Sequence, residues 1–510
     1  MSDTPPDPLA AFRKLLEGAA AQHQAESPVV LTDGLVGPEL GAVLRRCAAP
    51  HDFDRRLLQR LGGWTATESD LRFLEFSELS IMQLAGDALS VHERWRKPLW
   101  NWWLREERLA QFVALSESLA EFFGANARES GSETDQRRQM FHLIGCRRDE
   151  GLRMFEALCR RARHQCAFSE CMLLVRLASE YESVLSARER ALIAYHDGKL
   201  ASDLRDWERA LGLLRSVAAE PTASTELQVN ALVRQGHALR ALGRADDALA
   251  VLEGARVRID SETNPDQAWR TLYELGEIYR DLGQTDLADK TLHAALAQAT
   301  KAGDPADLAG VLNSLGTVQL KLRETDHAID SFRKSLDQLE RRGDVLRRGA
   351  VLNNLGLAQI EKCDWNAAEA SFVASLDFKR AASDRLGQAN ALLNLSRAQA
   401  AQEKLPLAQT SAAQAGRLYE AASEHRSHAR ALLAQARLAT RARQAEVART
   451  LFLQAIELAT AAGDLGIAGN ARDELARAED NSRGMPSWAR WLLGLFGLLV
   501  LLIIVAAVVG

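Results

Sequence analysis

A small residue returns about every forty positions between residues 191 and 478, and few folds permit so regular a spacing. The interval is 38 residues once and then 40 residues six times, giving the markers Gly198, Gly236, Gly276, Gly316, Gly356, Ser396, Ala436 and Ala476. Alanine follows each of the first seven markers twelve residues later, at Ala210, Ala248, Ala288, Ala328, Ala368, Ala408 and Ala448. Because small side chains let two helices cross closely, the two series predict a pair of antiparallel helices repeated seven times.

The sequence between the markers is also patterned. A large apolar residue stands sixteen positions after each marker except where Ala412 replaces it: Leu214, Leu252, Leu292, Phe332, Phe372 and Phe452. Such a side chain can fill the space that the small residue leaves. The link between units repeats as Gly or Ser followed by Asp or Glu, as in Gly463-Asp464. Glycine can end one helix in the left-handed conformation and aspartate can cap the next, so each link is predicted to be a tight turn.

Leu275-Gly276-Glu277-Ile278-Tyr279, Ala288 and Leu292 together resemble the tetratricopeptide repeat (TPR) pattern, and the resemblance extends over about residues 192–478. The period is longer than the usual TPR unit of about 34 residues. The resemblance implies an all-α, TPR-type α-solenoid of seven helix pairs, with Gly466 to Ala478 as a capping helix. It also implies that the first helices of the pairs build a concave surface that binds a protein or peptide partner.

The family pattern places particular positions around each marker on or beside that concave surface. Asparagine amides can pair with both an N–H and a carbonyl of an extended peptide, and arginine can hold carboxylates. The alternative is that these side chains are only solvated. The predicted protein-binding residues, with Arg270 added from the preceding turn, are Arg234, His237, Arg240, Arg270, Tyr273, Glu277, Arg280, Asn313, Thr317, Asn353, Asn354, Asn394, Arg397, Arg437 and Thr440.

The region before the repeats has a different pattern. Two predicted helices, over Phe53–Gly62 and from Thr67 onward, precede alternating apolar residues on both sides of Gly86-Asp87, which predicts a hairpin. Further helices are predicted at Trp95–Phe123, Asp135–Cys146 and Glu150–Glu182. A winged-helix module followed by helices and a TPR array resembles the C-terminal half of STAND-class signalling ATPases. The resemblance implies that His92 contacts a nucleotide phosphate, and the alternative is a structural histidine.

The sequence lacks the chemistry of an ATPase. No GxxxxGK[ST] phosphate-binding loop is present, and too few residues precede Asp52 to form an ATPase core. The only Gly-Lys pair, Gly198-Lys199, lies inside a repeat. The six cysteines show no paired metal-binding spacing, and no catalytic motif stands out. The sequence therefore predicts a non-enzymatic protein without a cofactor or a metal.

Charge argues against nucleic acid as a partner. The formal net charge is −5 at pH 7, and the second helix of the winged-helix module, around Glu68 to Glu75, is acidic, so phosphates would repel it. A membrane-held DNA-binding regulator is therefore the last-ranked alternative. Trp95, Trp100, Trp102 and Trp103 are predicted to pack in a core rather than to form a nucleic-acid or membrane surface.

The segment Trp491–Gly510 contains no charged or strongly polar side chain. As a helix it would be about 30 Å long, which matches the core of a bilayer. Its apolar side chains contribute about −4 to −8 kcal/mol of insertion free energy, and Arg483 and Arg490 precede it as cytoplasmic charges do. The sequence predicts a single-pass tail anchor in the lipid bilayer, with the bulk of the chain cytoplasmic. The composition favours a bacterial inner membrane, and the start has no signal-peptide pattern.

These predictions divide the chain into six parts. They are an N-terminal helical or flexible segment (1–51, with a helix over Leu9–Ala21), a winged-helix-like module (52–93), a helical linker region (94–190), the TPR solenoid (191–480), a juxtamembrane linker (481–490) and the transmembrane anchor (491–510). The predicted function is that of a membrane-anchored adaptor or scaffold. The first alternative is a regulatory or sensor subunit derived from a STAND-type switch, which acts with a separate ATPase or effector in signalling or defence.

Overall fold

The computed structural model describes residues 27–259, 264–303, 305–342 and 344–483. Within these residues the chain is helical apart from one two-stranded hairpin, and it divides between Leu242 and Gly243 into two compact units. The predicted all-α, solenoid-type fold is confirmed. None of the helices described is long and apolar enough to cross a membrane. The predicted helix Leu9–Ala21 and the predicted anchor Trp491–Gly510 lie outside the described residues.

The first unit begins with a small module of helices and a hairpin. Phe53 and Leu89 exchange backbone hydrogen bonds of 2.8 and 2.9 Å beside the hairpin, which forms around Gly86-Asp87 as predicted. Leu44 and Phe76 are fully buried in the core beneath it, so a helix from the preceding segment packs in the same module, for which we keep the predicted name of winged-helix-like module. The elements are α1 (Ser27–Val36), α2 (Pro38–Cys47), α3 (Arg55–Gly62), α4 (Ala66–Ser77), β1 (Met82–Ala85) and β2 (Ala88–Val91).

Five helices follow in the same unit. They are α5 (Glu93–Trp103), α6 (Leu109–Ser130), α7 (Glu133–Cys146), α8 (Arg148–His164) and α9 (Phe168–Ser179), with 3-10 turns at Glu106–Arg108 and Glu182–Val184. The prediction of one helix over Trp95–Phe123 is wrong, because the chain turns between α5 and α6. The prediction of one helix over Glu150–Glu182 is also wrong, because Cys166 adopts a left-handed φ of 56°. Trp100, Trp102 and Trp103 are buried in the core, as predicted.

The repeats occupy the rest of the described chain. The first unit ends with α10 (Ala187–Asp203), α11 (Trp207–Ala219) and α12 (Thr225–Ala241). The second contains α13 (Ala245–Val257), α14 (Pro265–Asp281), α15 (Thr285–Ala302), α16 (Pro305–Lys321), α17 (Thr325–Arg342), α18 (Val345–Glu361), α19 (Trp365–Ala381), α20 (Arg385–Ala401), α21 (Leu405–Ala421), α22 (His425–Arg441), α23 (Ala445–Ala461) and α24 (Leu465–Arg483). In chain order these helices match the predicted seven pairs and the capping helix.

Gly198, Gly276, Gly316 and Gly356 lie where the two helices of their pairs cross. A Cβ atom added to Gly316 would lie 2.7 Å from Cε1 of Phe332, and one added to Gly356 would lie 2.6 Å from Cε1 of Phe372. Carbon atoms do not pack that closely, so Gly316 and Gly356 must be glycine beside these two phenylalanines. Ser396 replaces the marker glycine in the repeat that has Ala412 in place of the large residue.

Residues with a left-handed backbone conformation recur at two positions of the repeat. The sequence pattern predicted one of these positions. In the predicted link, Gly463 has a φ of 72° and Oδ1 of Asp464 accepts a 3.0 Å hydrogen bond from the Ile467 amide. The second position lies seven residues after each of the first seven markers. It is held by Gly243 and Gly283 and, with φ also positive, by Arg205, Arg323, Cys363, Glu403 and Arg443.

Candidate partner-binding surface

The first helices of the pairs in the second unit form a continuous surface. These helices are α14, α16, α18, α20 and α22, followed by the capping helix α24, and each contacts the next. The predicted binding residues from Arg270 to Thr440 lie on these helices, and we call the surface that the helices form the first-helix face. Because the helices touch one another directly, side chains from several repeats can contact the same ligand.

Polar side chains on neighbouring first helices meet at a spacing of 41 residues. The Asn354 amide nitrogen donates to Asn313 Oδ1 at 2.9 Å, and the Asn394 amide nitrogen donates to Asn353 Oδ1 at 3.0 Å. The sequence period is 40 residues. The bonded partner is therefore shifted by one residue from the equivalent position in the next repeat. Asn354 bonds to Asn313 in the repeat before it, and Asn353 bonds to Asn394 in the repeat after it.

These four asparagines form what we call the amide ladder: Asn313, Asn353, Asn354 and Asn394. All four are half-buried. Each amide has one carbonyl oxygen and two N–H groups, and one inter-helix bond uses only one of these. The bonds fix the orientation of the amides, and the remaining polar groups stay available to a peptide backbone without a further cost in side-chain freedom.

Some charged residues of the first-helix face form ion pairs within the protein, and others are exposed. Arg397 lies one turn after Asn394 on α20 and is exposed. Arg437 makes a two-pronged ion pair with Glu474 at 2.8 and 2.6 Å, and these hydrogen bonds raise the pKa of Arg437. Arg280 donates to Glu277, which is buried, at 2.7 Å.

The other predicted residues divide between the two units. In the second unit, Arg270 pairs with Asp266 at 3.0 Å, and the hydroxyl of Tyr273 accepts a 3.4 Å hydrogen bond from Ser314 on the next first helix. The hydroxyls of Thr317 and Thr440 donate to carbonyls of their own helices, those of Asn313 and Ala436. In the first unit, Arg234, His237 and Arg240 lie half-buried on α12.

Sequence reasoning missed two polar residues of the first-helix face. Asn390 lies one turn before Asn394 on α20, is exposed, and accepts a 2.6 Å hydrogen bond from the Tyr419 hydroxyl. The Lys321 ammonium donates to the Arg280 carbonyl at 3.4 Å, again across 41 residues. Helical spacing could have predicted Asn390, because it lies four residues before Asn394 and therefore on the same side of the helix.

The described residues outside this surface offer little alternative chemistry. His92 is exposed and caps α5, because its Nδ1 accepts a 3.3 Å hydrogen bond from the Arg94 amide, which matches the structural alternative for this histidine. Cys47 and Cys159 are buried, and burial raises the pKa of both thiols. No group of three His, Cys, Asp or Glu side chains in the part of the chain that the structure describes is placed to hold a metal.

These features define a helical repeat protein with a polar face on its first helices. The tetratricopeptide repeat family model matches residues 266–341, and the protein is a helical protein of the TPR type. A search among curated proteins gives no match.

Comparison with solved structures finds proteins that are similar to this chain. One is a signal transduction ATPase with numerous domains (STAND) that carries a tetratricopeptide repeat sensor, from Pyrococcus horikoshii. It has 12% sequence identity and a TM-score of 0.57, over 92% of this chain and 72% of that chain. The match is too long to involve the repeats alone, so the shared fold includes most of the region before them. Another is Pseudomonas aeruginosa pilF, with 18% identity and a TM-score of 0.37 over 49% of this chain and 99% of that one.

Proposed function

We propose that this protein is a membrane-anchored adaptor that binds an extended segment of a partner protein along the first-helix face. The observation that carries the proposal is the amide ladder, because it presents oriented polar groups from successive helices at a regular spacing. An extended peptide offers N–H and carbonyl groups at a regular spacing too, so several amides can engage its backbone together. Binding to the backbone gives affinity, while charged neighbours give specificity.

Arg397 supplies the charge that the proposal needs. Its side chain is exposed beside Asn394, so it can donate paired hydrogen bonds to a carboxylate. Arg437 is held by Glu474 and Arg280 by Glu277, so these two arginines shape the surface more than they attract a ligand. The proposed partner segment is therefore extended and carries an acidic residue near α20.

The first-helix face can be tested by substitution. Asn394→Ala combined with Arg397→Ala should lower the recovery of specific partners in affinity purification from detergent-solubilised membranes by at least about tenfold, since each lost hydrogen bond to a peptide or carboxylate contributes about 0.5–3 kcal/mol. Quantitative mass spectrometry of the bound polypeptides measures the effect.

The matched control for this test is Asn366→Ala combined with Arg333→Ala. Both residues are exposed on second helices, α19 and α17, so the control removes the same chemical groups from the other side of the repeats. Partner recovery should be unchanged in the control. Equal recovery by both double variants would overturn the proposed use of the first-helix face.

We also propose that Trp491–Gly510 crosses a membrane, with the repeats on the cytoplasmic side of a bacterial inner membrane. Support comes from the sequence, in which twenty residues lack a charge. Leu501→Arg with Ile504→Arg should release the full-length protein from carbonate-washed membranes, because two arginines cost about 5–7 kcal/mol near the bilayer centre and offset most of the insertion free energy.

The control for membrane insertion keeps the segment apolar. Leu501→Val with Ile504→Val should remain in the membrane fraction after the same carbonate wash. If the arginine variant stays in that fraction as well, the segment is not what holds the protein there, and the anchor proposal fails.

A second candidate function is a regulatory subunit related to STAND switches, which acts with a separately encoded ATPase or effector. The observation that favours it is the fold shared with that STAND protein over 92% of this chain. In this case the proteins recovered through the first-helix face should include an ATPase, a protease or a nuclease whose activity changes when the purified adaptor is added. Recovery of partners with no such activity would favour the simple adaptor.

A further inference from the structure

The winged-helix-like module carries a second exposed surface, on the outer side of α4. Leu71 and Leu74 are 64% and 58% exposed, and Leu84 on β1 is 60% exposed. On the other side of α4, Phe73 and Phe76 are buried in the core. Because α4 contacts β1, we treat Leu71, Leu74 and Leu84 as one surface and call it the leucine patch.

The positions of these leucines are fixed by ordered structure. The side chain of Thr65 and that of Glu68 form a reciprocal cap at the start of α4, and the Ser69 hydroxyl donates to the Arg55 carbonyl at 2.8 Å. Leu71 and Leu74 are three residues apart and so lie on the same side of the helix. The patch is therefore a rigid feature of the module.

The hairpin places Leu84 toward the helices. Leu84 is directly opposite Leu89 in the strand register, and Leu89 is fully buried in the core with Phe73 and Phe76. Residues directly opposite each other in a hairpin project from the same face. Leu84 therefore extends the core-facing side of the hairpin beyond the edge of the core, where it is exposed.

Exposed acidic side chains lie on α4, directly after its last residue and in the turn of the hairpin, the elements that carry the leucine patch. They are Glu68, Asp70, Glu75, Glu78 and Asp87. The neighbouring cations are already paired: Arg72 contacts Glu75 at 2.6 Å, and Arg55 contacts Asp70 at 3.3 Å while its guanidinium lies 4.3 Å from the centre of the Phe73 ring. The rim is thus net negative, which disfavours DNA, RNA and anionic lipid headgroups as ligands.

We propose that the leucine patch binds an amphipathic helix of a partner protein, one whose apolar stripe is flanked by lysine or arginine. Three leucines on one rigid surface give the apolar contact, and the acidic rim selects the basic flanks. This site is separate from the first-helix face and would add a second point of attachment. An anchored adaptor with two sites can hold two partners, or one partner at two points with higher avidity.

The test uses a defined probe and the full-length protein in lipid nanodiscs. The probe is a labelled synthetic helix of about fifteen residues with leucines three and four apart and lysines on both flanks, and its counterpart has glutamate in place of each lysine. Fluorescence anisotropy should show binding of the lysine probe only. Leu71→Ser with Leu74→Ser should weaken that binding at least tenfold. Glu78→Gln with Asp87→Asn should weaken it severalfold and reduce its dependence on salt.

Two controls separate this site from folding and from the proposed adaptor function. Leu204→Ser removes another leucine of the first unit, 45% exposed, and should leave probe binding unchanged. Asn394→Ala with Arg397→Ala should also leave probe binding unchanged. Loss of partner binding at the first-helix face can therefore be distinguished from loss of probe binding at the leucine patch. Circular dichroism spectra of the variants should match that of the wild type.

Several results would overturn the proposal. One is equal binding of the lysine and glutamate probes, and another is lysine-probe binding that survives Leu71→Ser with Leu74→Ser. Loss of concentration-dependent self-association in that variant, without any probe binding by the wild type, would assign the patch to a second copy of this chain. Wild-type binding to duplex DNA or phosphatidylglycerol vesicles that Leu71→Ser with Leu74→Ser abolishes would assign it to those ligands.

Discussion

Phe332→Ala is expected to lower the free energy of unfolding of the repeat region by about 3–5 kcal/mol, the cost of truncating a fully buried aromatic side chain. Phe332 is 0% exposed and packs among Ala309, Ile329 and Leu355. Its ring also fills the space above Gly316. Guanidinium unfolding followed by circular dichroism, on the full-length protein in detergent, measures the loss.

The glycine that faces this ring allows a sharper test. Gly316→Ser alone should cost about 1–3 kcal/mol, because its Cβ would press on the ring of Phe332, which is enclosed. Together with Phe332→Ala it should cost less than the sum, since the serine then occupies part of the cavity. The double variant reproduces the combination of Ser396 and Ala412 found in a later repeat.

The matched control lies two turns earlier on the same helix. A Cβ atom added to Gly310 would meet no atom within 4 Å, so Gly310→Ser should be neutral or slightly stabilising. If Gly316→Ser proves as harmless as Gly310→Ser, or if the costs of Gly316→Ser and Phe332→Ala simply add, close packing does not explain the forty-residue pattern.

The repeats were predictable from sequence because a contact between the two helices of a pair requires a small residue at a regular spacing. Gly276, Gly316 and Gly356 must be small since Leu292, Phe332 and Phe372 reach within 3 Å of where a Cβ would be. The left-handed turn inside each pair was not predictable in the same way. Arg323, Cys363 and Glu403 hold that position, and their types do not indicate a positive φ. Packing of the flanking helices imposes the turn there.

The amide ladder was only partly predictable. The family pattern placed all four asparagines on one surface, but the hydrogen bonds join residues 41 apart rather than 40. The difference of one residue comes from the stagger between neighbouring first helices. The repeat period in the sequence gives no information on that stagger. The division of the predicted helix Glu150–Glu182 at Cys166 was hidden for a similar reason, because neither glycine nor proline marks that turn.

Glu180→Ala is expected to destabilise the first unit by about 3–5 kcal/mol, because it breaks a largely buried ion pair and leaves a cation without its partner. The Glu180 carboxylate accepts hydrogen bonds from His51 at 2.8 Å and from Arg96 at 2.9 Å, and the Arg96 side chain is only 12% exposed. The indole of Trp100 donates to the Glu180 carbonyl at 3.0 Å. Glu180, directly after α9, thus links α5, which carries Arg96 and Trp100, to the segment after α2, which carries His51.

The pH dependence separates the charge of Glu180 from its size. Burial alone would raise the pKa of Glu180, but the His51 hydrogen bond and the nearby Arg96 outweigh it and hold this pKa below its usual value. The folded state therefore binds fewer protons than the unfolded state, and the stabilisation is complete above about pH 5 and lost as pH falls through the lowered pKa. Burial also lowers the pKa of His51, although its hydrogen bond to Glu180 acts in the opposite direction, so protonation of His51 at low pH likewise lowers the stability of the folded state.

Glu180→Gln supplies the control for this pH effect, since it keeps the shape of the side chain and removes the charge. The wild type should be more stable than this variant at pH 7, and the difference should shrink as the pH falls from about 5 toward 3, because the unfolded wild type then takes up a proton that the folded carboxylate resists. Thermal unfolding at a series of pH values measures the difference. A gap between the two proteins that stays constant from pH 7 to pH 3 would mean that the charge of Glu180 does not hold these helices together.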